Sequence, residues 1–286
     1  MGFILAFVVA ITESIKNIYL KKRTLSSSPV YTTWAWQVTS LLVFLPIILY
    51  TGIPQVSSDY WVIVGLKVIA MTVALVLYNK SLKETDVSLA LPMLALTPLV
   101  TAVLSFFLIG DLPTLMGGIG IVVTIFGVYL LNRSRGDGLL APFKEVYKNK
   151  GVFYMFLVSI IWGITTSFDK IAILRSTPIY YAVVTTVLTA LFLTPIVAHV
   201  HKNEIKEVFS INKLIYMIPI GLLEGIVVFG QFTAYQFTLA AYIIAIKRTS
   251  IVFSSILAYF IFKEEIKDRL LPILIMVIGL MLILFA

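Results

Sequence analysis

The sequence contains no cysteine. Disulfides, thiolate nucleophiles and sulfur-ligated metals are therefore excluded. Histidine is nearly as scarce, since His199 and His201 are the only two. A His-x-His pair alone is a weak metal signal. With both histidines in one short loop, no Ser/His/Asp set can be assembled inside a membrane. Charge is also sparse. Asp, Glu, Lys and Arg make up 13% of the chain, well below the roughly 25% of a soluble domain. A soluble enzyme, a nucleic-acid binder and a disordered scaffold are excluded as main readings.

What is abundant is apolar. Hydrophobic residues make up 60% of the 286, and mean hydropathy is +1.02. A spanning helix needs about 20 mostly apolar residues to cross roughly 30 Å of hydrocarbon. Ten such runs occur, near 2–20, 29–50, 60–80, 87–109, 112–132, 152–174, 177–198, 213–236, 239–262 and 270–286. They are too long and continuous for barrel strands, which would alternate polar and apolar residues. The first run lacks a basic leading segment and a clear cleavage site, so it reads as a helix and not a signal peptide. The expected fold is an all-α membrane bundle of ten transmembrane helices. The longest polar connection, Arg133 to Lys150, falls near the middle of the chain. It marks the joint between a first half, 1–132, and a second, 151–286.

Connections after the odd-numbered runs hold sixteen Lys and Arg, and those after the even runs hold one, Arg175. The positive-inside rule then puts the odd connections in the cytoplasm and both termini outside. The formal charge of +8 is on this reading a topology signal facing anionic lipid, not a nucleic-acid footprint.

The halves can be laid over one another. IKNIYLKK (15–22) aligns with FDKIAILR (168–175), and Pro29 and Tyr31 then match Pro178 and Tyr180. YNKSL (78–82) aligns with YQFTL (235–239), and LTPLVTAVLSFFLIGD (96–111) with TSIVFSSILAYFIFKE (249–264). The last pair ends on an acid in each half, Asp111 or Glu264. Five runs per half is an odd number, so the second repeat enters from the opposite face. Inverted repeats are a common plan for secondary transporters, with the site between the halves near the midplane.

In these segments, above all 79–111 and 240–265, the chain resembles the ten-helix EamA-like branch of the drug/metabolite transporter superfamily over nearly its whole length. The resemblance implies two EamA-like repeats and a transport function. It departs from the family pattern at Asp111, where Glu is usual, and at Lys263, where Gly is common.

Charges inside a bilayer are costly, about 2.5–3.5 kcal/mol each on insertion scales, so each needs a reason. Eight fall within the runs: Glu13, Lys16, Lys67, Asp169, Lys170, Glu224, Lys247 and Arg248. Five are basic and three acidic, a surplus that an anionic group would neutralise. Lys247 and Arg248 sit roughly 13 Å into the ninth helix by the helical rise. Two fixed cations there could hold a carboxylate or phosphate, with Arg supplying a planar fork. The pair is similar to the phosphate-binding pair of the plastid phosphate translocators. The structural alternative is an ion pair with Glu224 or Asp169.

Lys67 and Glu224 occupy equivalent repeat positions, and pseudo-symmetry could bring them together as a gate, a proton carrier or a static bridge. Glu13 and Lys16 are three apart and can pair on one helix face. Glu13 resembles in position the functional glutamate of the small multidrug transporters. Snorkelling is the expectation for Lys16 and Lys170, and a structural partner for Asp169. Gln37 and Gln231 lie deep enough to line a pathway, and Tyr235 is a further candidate. Trp36, Tyr78, Asn79 and Trp162 read mostly as interfacial anchors. Pro92 and Pro98 should kink the fourth helix and free backbone carbonyls. GLLEG (221–225) is a small-xxx-small pattern that predicts close helix packing.

Two motifs are set aside. EEIKDR (264–269) fits the start of a membrane-embedded CAAX-type protease, but no histidine follows it. GGIG (117–120) lacks the Lys-Ser/Thr of a P-loop. The expected function is secondary transport of a small polar or anionic metabolite by alternating access, with no catalysis, cofactor or metal. Lys247, Arg248, Gln231, Tyr235 and Gln37 are the expected substrate contacts. Glu224, Lys67, Glu13 and Asp169 are expected to couple or gate. A lipid-linked sugar flippase of the same fold is the alternative, and an intramembrane metalloprotease a remote one. Membrane lipid is the expected surrounding. The sequence leaves open whether the chain acts alone or as a homodimer.

Overall fold

The computed structural model describes residues 1–131, 146–202, 210–263 and 270–286. Most of the joint at 133–150 and the acid Glu264, with the EEIKDR motif, lie outside the described residues. Within them the chain is helical, with no strand. In chain order the helices are α1 (Gly2–Ser26), α2 (Pro29–Thr51), α3 (Ser58–Glu84), α4 (Val87–Ala90), α5 (Thr97–Ile109), α6 (Leu115–Leu131), α7 (Lys150–Leu174), α8 (Pro178–Val200), α9 (Ile211–Ile215), α10 (Ile218–Ala234), α11 (Ala240–Lys247), α12 (Ser250–Phe262) and α13 (Leu270–Leu284). Among the described residues, six spans are long and apolar enough to cross a membrane: α1, α2, α3, α7, α8 and the stretch Ala240–Phe262 that joins α11 to α12. Four shorter apolar helices accompany them, at Met93–Ile109, Leu115–Gly127, Ile218–Ala234 and Leu274–Leu284.

Local chemistry sets several boundaries. Proline opens α2 and α8 at their first turn, where its missing N–H costs nothing. Asn149 caps α7 by accepting from the Gly151 and Val152 amides. Gly110 ends α5 in the left-handed region, φ 71°.

The 87–109 run is broken into α4, a 3₁₀ segment at Leu91–Leu96 and α5. Pro92 and Pro98 stand at the starts of the last two pieces. Its repeat partner, 240–262, is interrupted at the same place without any proline. There the Thr249 amide bonds to the Ile246 carbonyl, which also accepts from the Thr249 hydroxyl at 2.8 Å. Ile251 and Val252 likewise bond three residues back. This local 3₁₀ tightening leaves Lys247 and Arg248 at a joint between half-helices.

The two halves interleave. The largest helix packings are α6 on α13, α3 on α7, α1 on α10 and α2 on α8, each joining the first half to the second. The pattern has its own two-fold symmetry. α3 on α7 is the counterpart of α1 on α10, and α5 on α7 of α1 on α11 and α12. Glycine allows the closest approach. A Cβ on Gly221 would lie 2.2 Å from the Thr39 hydroxyl, and one on Gly225 2.6 Å from Val43. The GLLEG stripe of α10 therefore packs directly on α2.

Candidate functional site

A cavity of about 70 Å³ lies between the halves, room for roughly five waters at about 10–15 Å³ each. Helices α1, α2 and α3 of the first half and α7, α8, α10 and α11 of the second contribute to its wall. Seven of the eight intramembrane charges line it: Glu13, Lys16, Lys67, Asp169, Glu224, Lys247 and Arg248. Lys170 is drawn away to Asp111, at the start of the connection after α5. The cavity thus holds four cations against three acids.

Most of these charges are paired. Lys16 on α1 bridges Glu13 Oε2 at 2.9 Å and Glu224 Oε2 at 2.6 Å. Lys247 lies 3.6 Å from the same oxygen of Glu13. Lys67 is 3.5 Å from Asp169 Oδ1, which also accepts from the Tyr181 hydroxyl at 2.6 Å. The Lys67 ammonium stands over the rings of Tyr181 and Phe232, at 5.2 and 5.6 Å. Pairing is what burial requires of these charges, because a buried ion left unpaired is strongly destabilising.

This arrangement corrects the expected Lys67–Glu224 pair. In the repeat, α3 packs on α7 and α10 on α1, so equivalent residues are related by symmetry without being neighbours. Lys67 faces Asp169, and Glu224 faces Lys16. The alignment also makes Lys16 the counterpart of Asp169. Lys16–Glu224 and Asp169–Lys67 are therefore the same cross-half contact made twice, with the charges exchanged. Snorkelling does not describe Lys16, which is 3% exposed and fully engaged. Nor does Lys247 pair with Glu224 or Asp169, since its acid is Glu13.

The remaining predicted contacts form a chain. Lys247 Nζ donates to Gln231 Oε1 at 2.7 Å, and Gln231 Nε2 donates to the Tyr235 hydroxyl at 2.5 Å. Gln231 and Gln37 line the cavity, whereas Tyr235 does not reach its wall and instead sits behind Gln231. Arg248 is 2% exposed, and no ion pair is recorded for it among the described residues. Its guanidinium stacks 5.8 Å from the centroid of Trp162.

The interfacial reading fails for four residues. Trp36 and Trp162 line the cavity. Tyr78 is buried between their rings, at 6.3 and 5.2 Å, and donates to Asn17 at 2.5 Å. Asn79 is buried and donates to Thr33 at 2.7 Å. All four are enclosed by other helices, Asn79 by Thr24 and Thr33 of its own half and Trp36, Tyr78 and Trp162 by one another. Sequence reasoning also missed Thr165, Thr166, Thr185, Thr186 and Thr189, which line the cavity. The i, i+4 spacing of Thr185 and Thr189 on an otherwise apolar helix was the available signal.

A family model for EamA-like transporters matches residues 1–133 and 149–285. The chain belongs to the EamA-like transporter family. It is thus a multi-pass membrane protein of the drug/metabolite transporter type, built from two repeats and moving a small molecule. The transporter also matches a solved crystal structure over 99% of its own length and 97% of the other chain, with a TM-score of 0.71 at 14% identity. That likeness concerns the fold alone. No curated protein matches the chain.

Proposed function

We propose that the transporter carries a small polar or anionic metabolite by alternating access, through two inverted five-helix repeats, 1–132 and 151–286, joined by a cytoplasmic linker. The observation that carries this reading is the charge balance of the cavity between the halves, with four cations to three acids. An anion entering it removes the surplus, in surroundings where attraction between charges is poorly screened. Lys247 and Arg248 supply the positive field at a joint between half-helices, the kind of element from which midplane transporter sites are made. Gln231 and Gln37 offer neutral contacts, and Tyr235 acts through Gln231.

The gating role falls to the exchanged pairs. Lys16–Glu224 and Lys67–Asp169 each tie one half to the other, so rocking the halves apart must loosen at least one of them. Glu13 holds Lys16 and Lys247 together and is placed to report substrate arrival to the first pair. Proton exchange, substrate exchange or the substrate's own gradient would drive the cycle. The charge asymmetry of the connections supports termini outside and the odd-numbered connections in the cytoplasm.

The test is uptake into liposomes holding the purified transporter, with amino acids, organic acids and phosphorylated metabolites, with and without a pH gradient. An anion should accumulate, and the double variant Lys247→Ala, Arg248→Ala should lose uptake while still folding. Uptake of neutral or cationic compounds alone, indifferent to the double variant, would show that the basic pair is structural.

A further inference from the structure

The cavity lacks acceptors on one side. Trp36 Nε1, Trp162 Nε1 and Arg248 Nε are buried N–H donors without a hydrogen-bond partner, and all three residues line the cavity. They form one continuous wall, with Trp36 against Tyr78, Tyr78 against Trp162, and Trp162 under the guanidinium of Arg248. The other charges of the cavity are paired. Each of the three acids has an ammonium partner, and each of the three lysines has an acid. The surplus positive charge and the missing acceptors thus fall in the same place. Buried donors normally find partners, and three orphans on one wall of a cavity is a pattern that a bound molecule would resolve.

We infer that this wall is the binding site for the head group of a small organic acid carrying a single negative charge, its oxygens accepting from Arg248, Trp36 and Trp162. The inference rests on the transport reading and narrows its substrate to a monoanion with a free acid group. A carboxylate or sulfonate offers enough lone pairs for three donors, and Arg presents planar donors that match such a group. One unit of negative charge neutralises four cations against three acids, whereas a dianion would reverse the imbalance. The cavity limits the ligand to a molecule displacing roughly five waters. Lys247 is assigned a different part. Held between Glu13 and Gln231, it orients Gln231 and Tyr235 and takes no direct share of the head group.

Binding is measured on the purified transporter in detergent, by calorimetric titration and by thermal shift, since a ligand that binds only the folded state raises the melting temperature. The probes are acetate, lactate and methanesulfonate, their neutral amides, the dianion malonate, and dimethyl phosphate as a phosphodiester of the lipid-headgroup type. At least one of the three acids should bind at millimolar concentration or tighter, ahead of its own amide and of malonate. Trp162→Phe keeps an aromatic ring, though a smaller one, and removes the N–H, and should weaken binding about 2–10-fold. Arg248→Gln should weaken it by about 10-fold or more. Lys247→Gln, which brings the cavity to three cations against three acids, should also weaken binding, but less than Arg248→Gln does, because Lys247 contributes charge and positions Gln231 without a direct hydrogen bond to the head group.

The inference is overturned if the amides match their acids, if malonate binds better than every monoanion, if dimethyl phosphate alone binds, or if none of the acids binds. It is equally overturned if Trp162→Phe and Arg248→Gln bind with unchanged affinity. The transport reading fails separately, when acids bind in detergent but no compound enters liposomes.

Discussion

Replacing Arg248 by glutamine should make the empty transporter more stable, whereas replacing Lys16 by glutamine should make it much less so. Either change brings the cavity from four cations against three acids to three against three, so net charge alone predicts the same effect for both. Pairing separates them. Among the described residues Lys16 is the only cation in direct contact with Glu224, and it shares Glu13 with Lys247. Its loss strands a buried carboxylate, and breaking a buried pair costs about 3–5 kcal/mol. Arg248 strands nothing, because no acid among the described residues contacts it. A buried charged group without an acid partner and with its Nε unsatisfied costs about 3 kcal/mol or more, and its stack on Trp162 returns up to about 2 kcal/mol. Removing it should yield a net gain of about 1–2 kcal/mol. At about 2–4 °C per kcal/mol, the melting temperature should rise roughly 2–8 °C for Arg248→Gln and fall by about 10 °C for Lys16→Gln. The assay is scanning calorimetry in detergent, in buffer free of carboxylates, phosphate and sulfonates. A fall for Arg248→Gln comparable to that for Lys16→Gln would refute the reasoning, since it would mean that Arg248 holds the empty protein together.

Other outcomes follow from named contacts. Lys67→Gln and Asp169→Asn should each destabilise by about 3–5 kcal/mol, while the double variant should recover much of the loss, a coupling readable in a thermal double-mutant cycle. Exchanging the partners, Lys67→Asp with Asp169→Lys, should give a folded protein. The matching exchange, Lys16→Glu with Glu224→Lys, should fold poorly because the new glutamate faces Glu13; equal expression and melting of the two exchanges would contradict this. Gly221→Ala should cost about 1–3 kcal/mol, because its Cβ would meet the Thr39 hydroxyl at 2.2 Å and the Thr39 backbone at 2.6 Å. Lys263 closes α12 at φ 59°, where an L side chain costs about 1–2 kcal/mol. Lys263→Gly should therefore raise the melting temperature by a few degrees, matching Gly110 at the equivalent place in the first repeat.

Apolar runs were legible because the bilayer forces every backbone group to pair within its own helix, a demand written locally in the chain. Each of the ten runs meets helix in the structure, although among the described residues six spans reach full membrane length. The break in the 87–109 run could be read from its prolines. The break at Lys247–Thr249 could not, because it is made by hydrogen bonds three residues back and a threonine hydroxyl, features that no residue type announces. Trp36 and Trp162 were misread because tryptophan looks the same in sequence at a headgroup boundary and in a buried wall; only the helix face presented to the opposite half distinguishes the two.

The sequence by itself determined that the chain is a helical membrane protein made of two repeats, and it named seven of the residues whose charges line the cavity. These facts follow from composition and from the cost of placing a charge in hydrocarbon, both of which are properties of single residues. The tertiary structure alone decided which charges meet. Symmetry relates Lys67 to Glu224, yet packing of α3 on α7 and of α10 on α1 gives each a different partner. A repeat aligns positions along the chain, whereas an ion pair depends on which helix faces cross within about 4 Å, and that is fixed only when both halves are assembled.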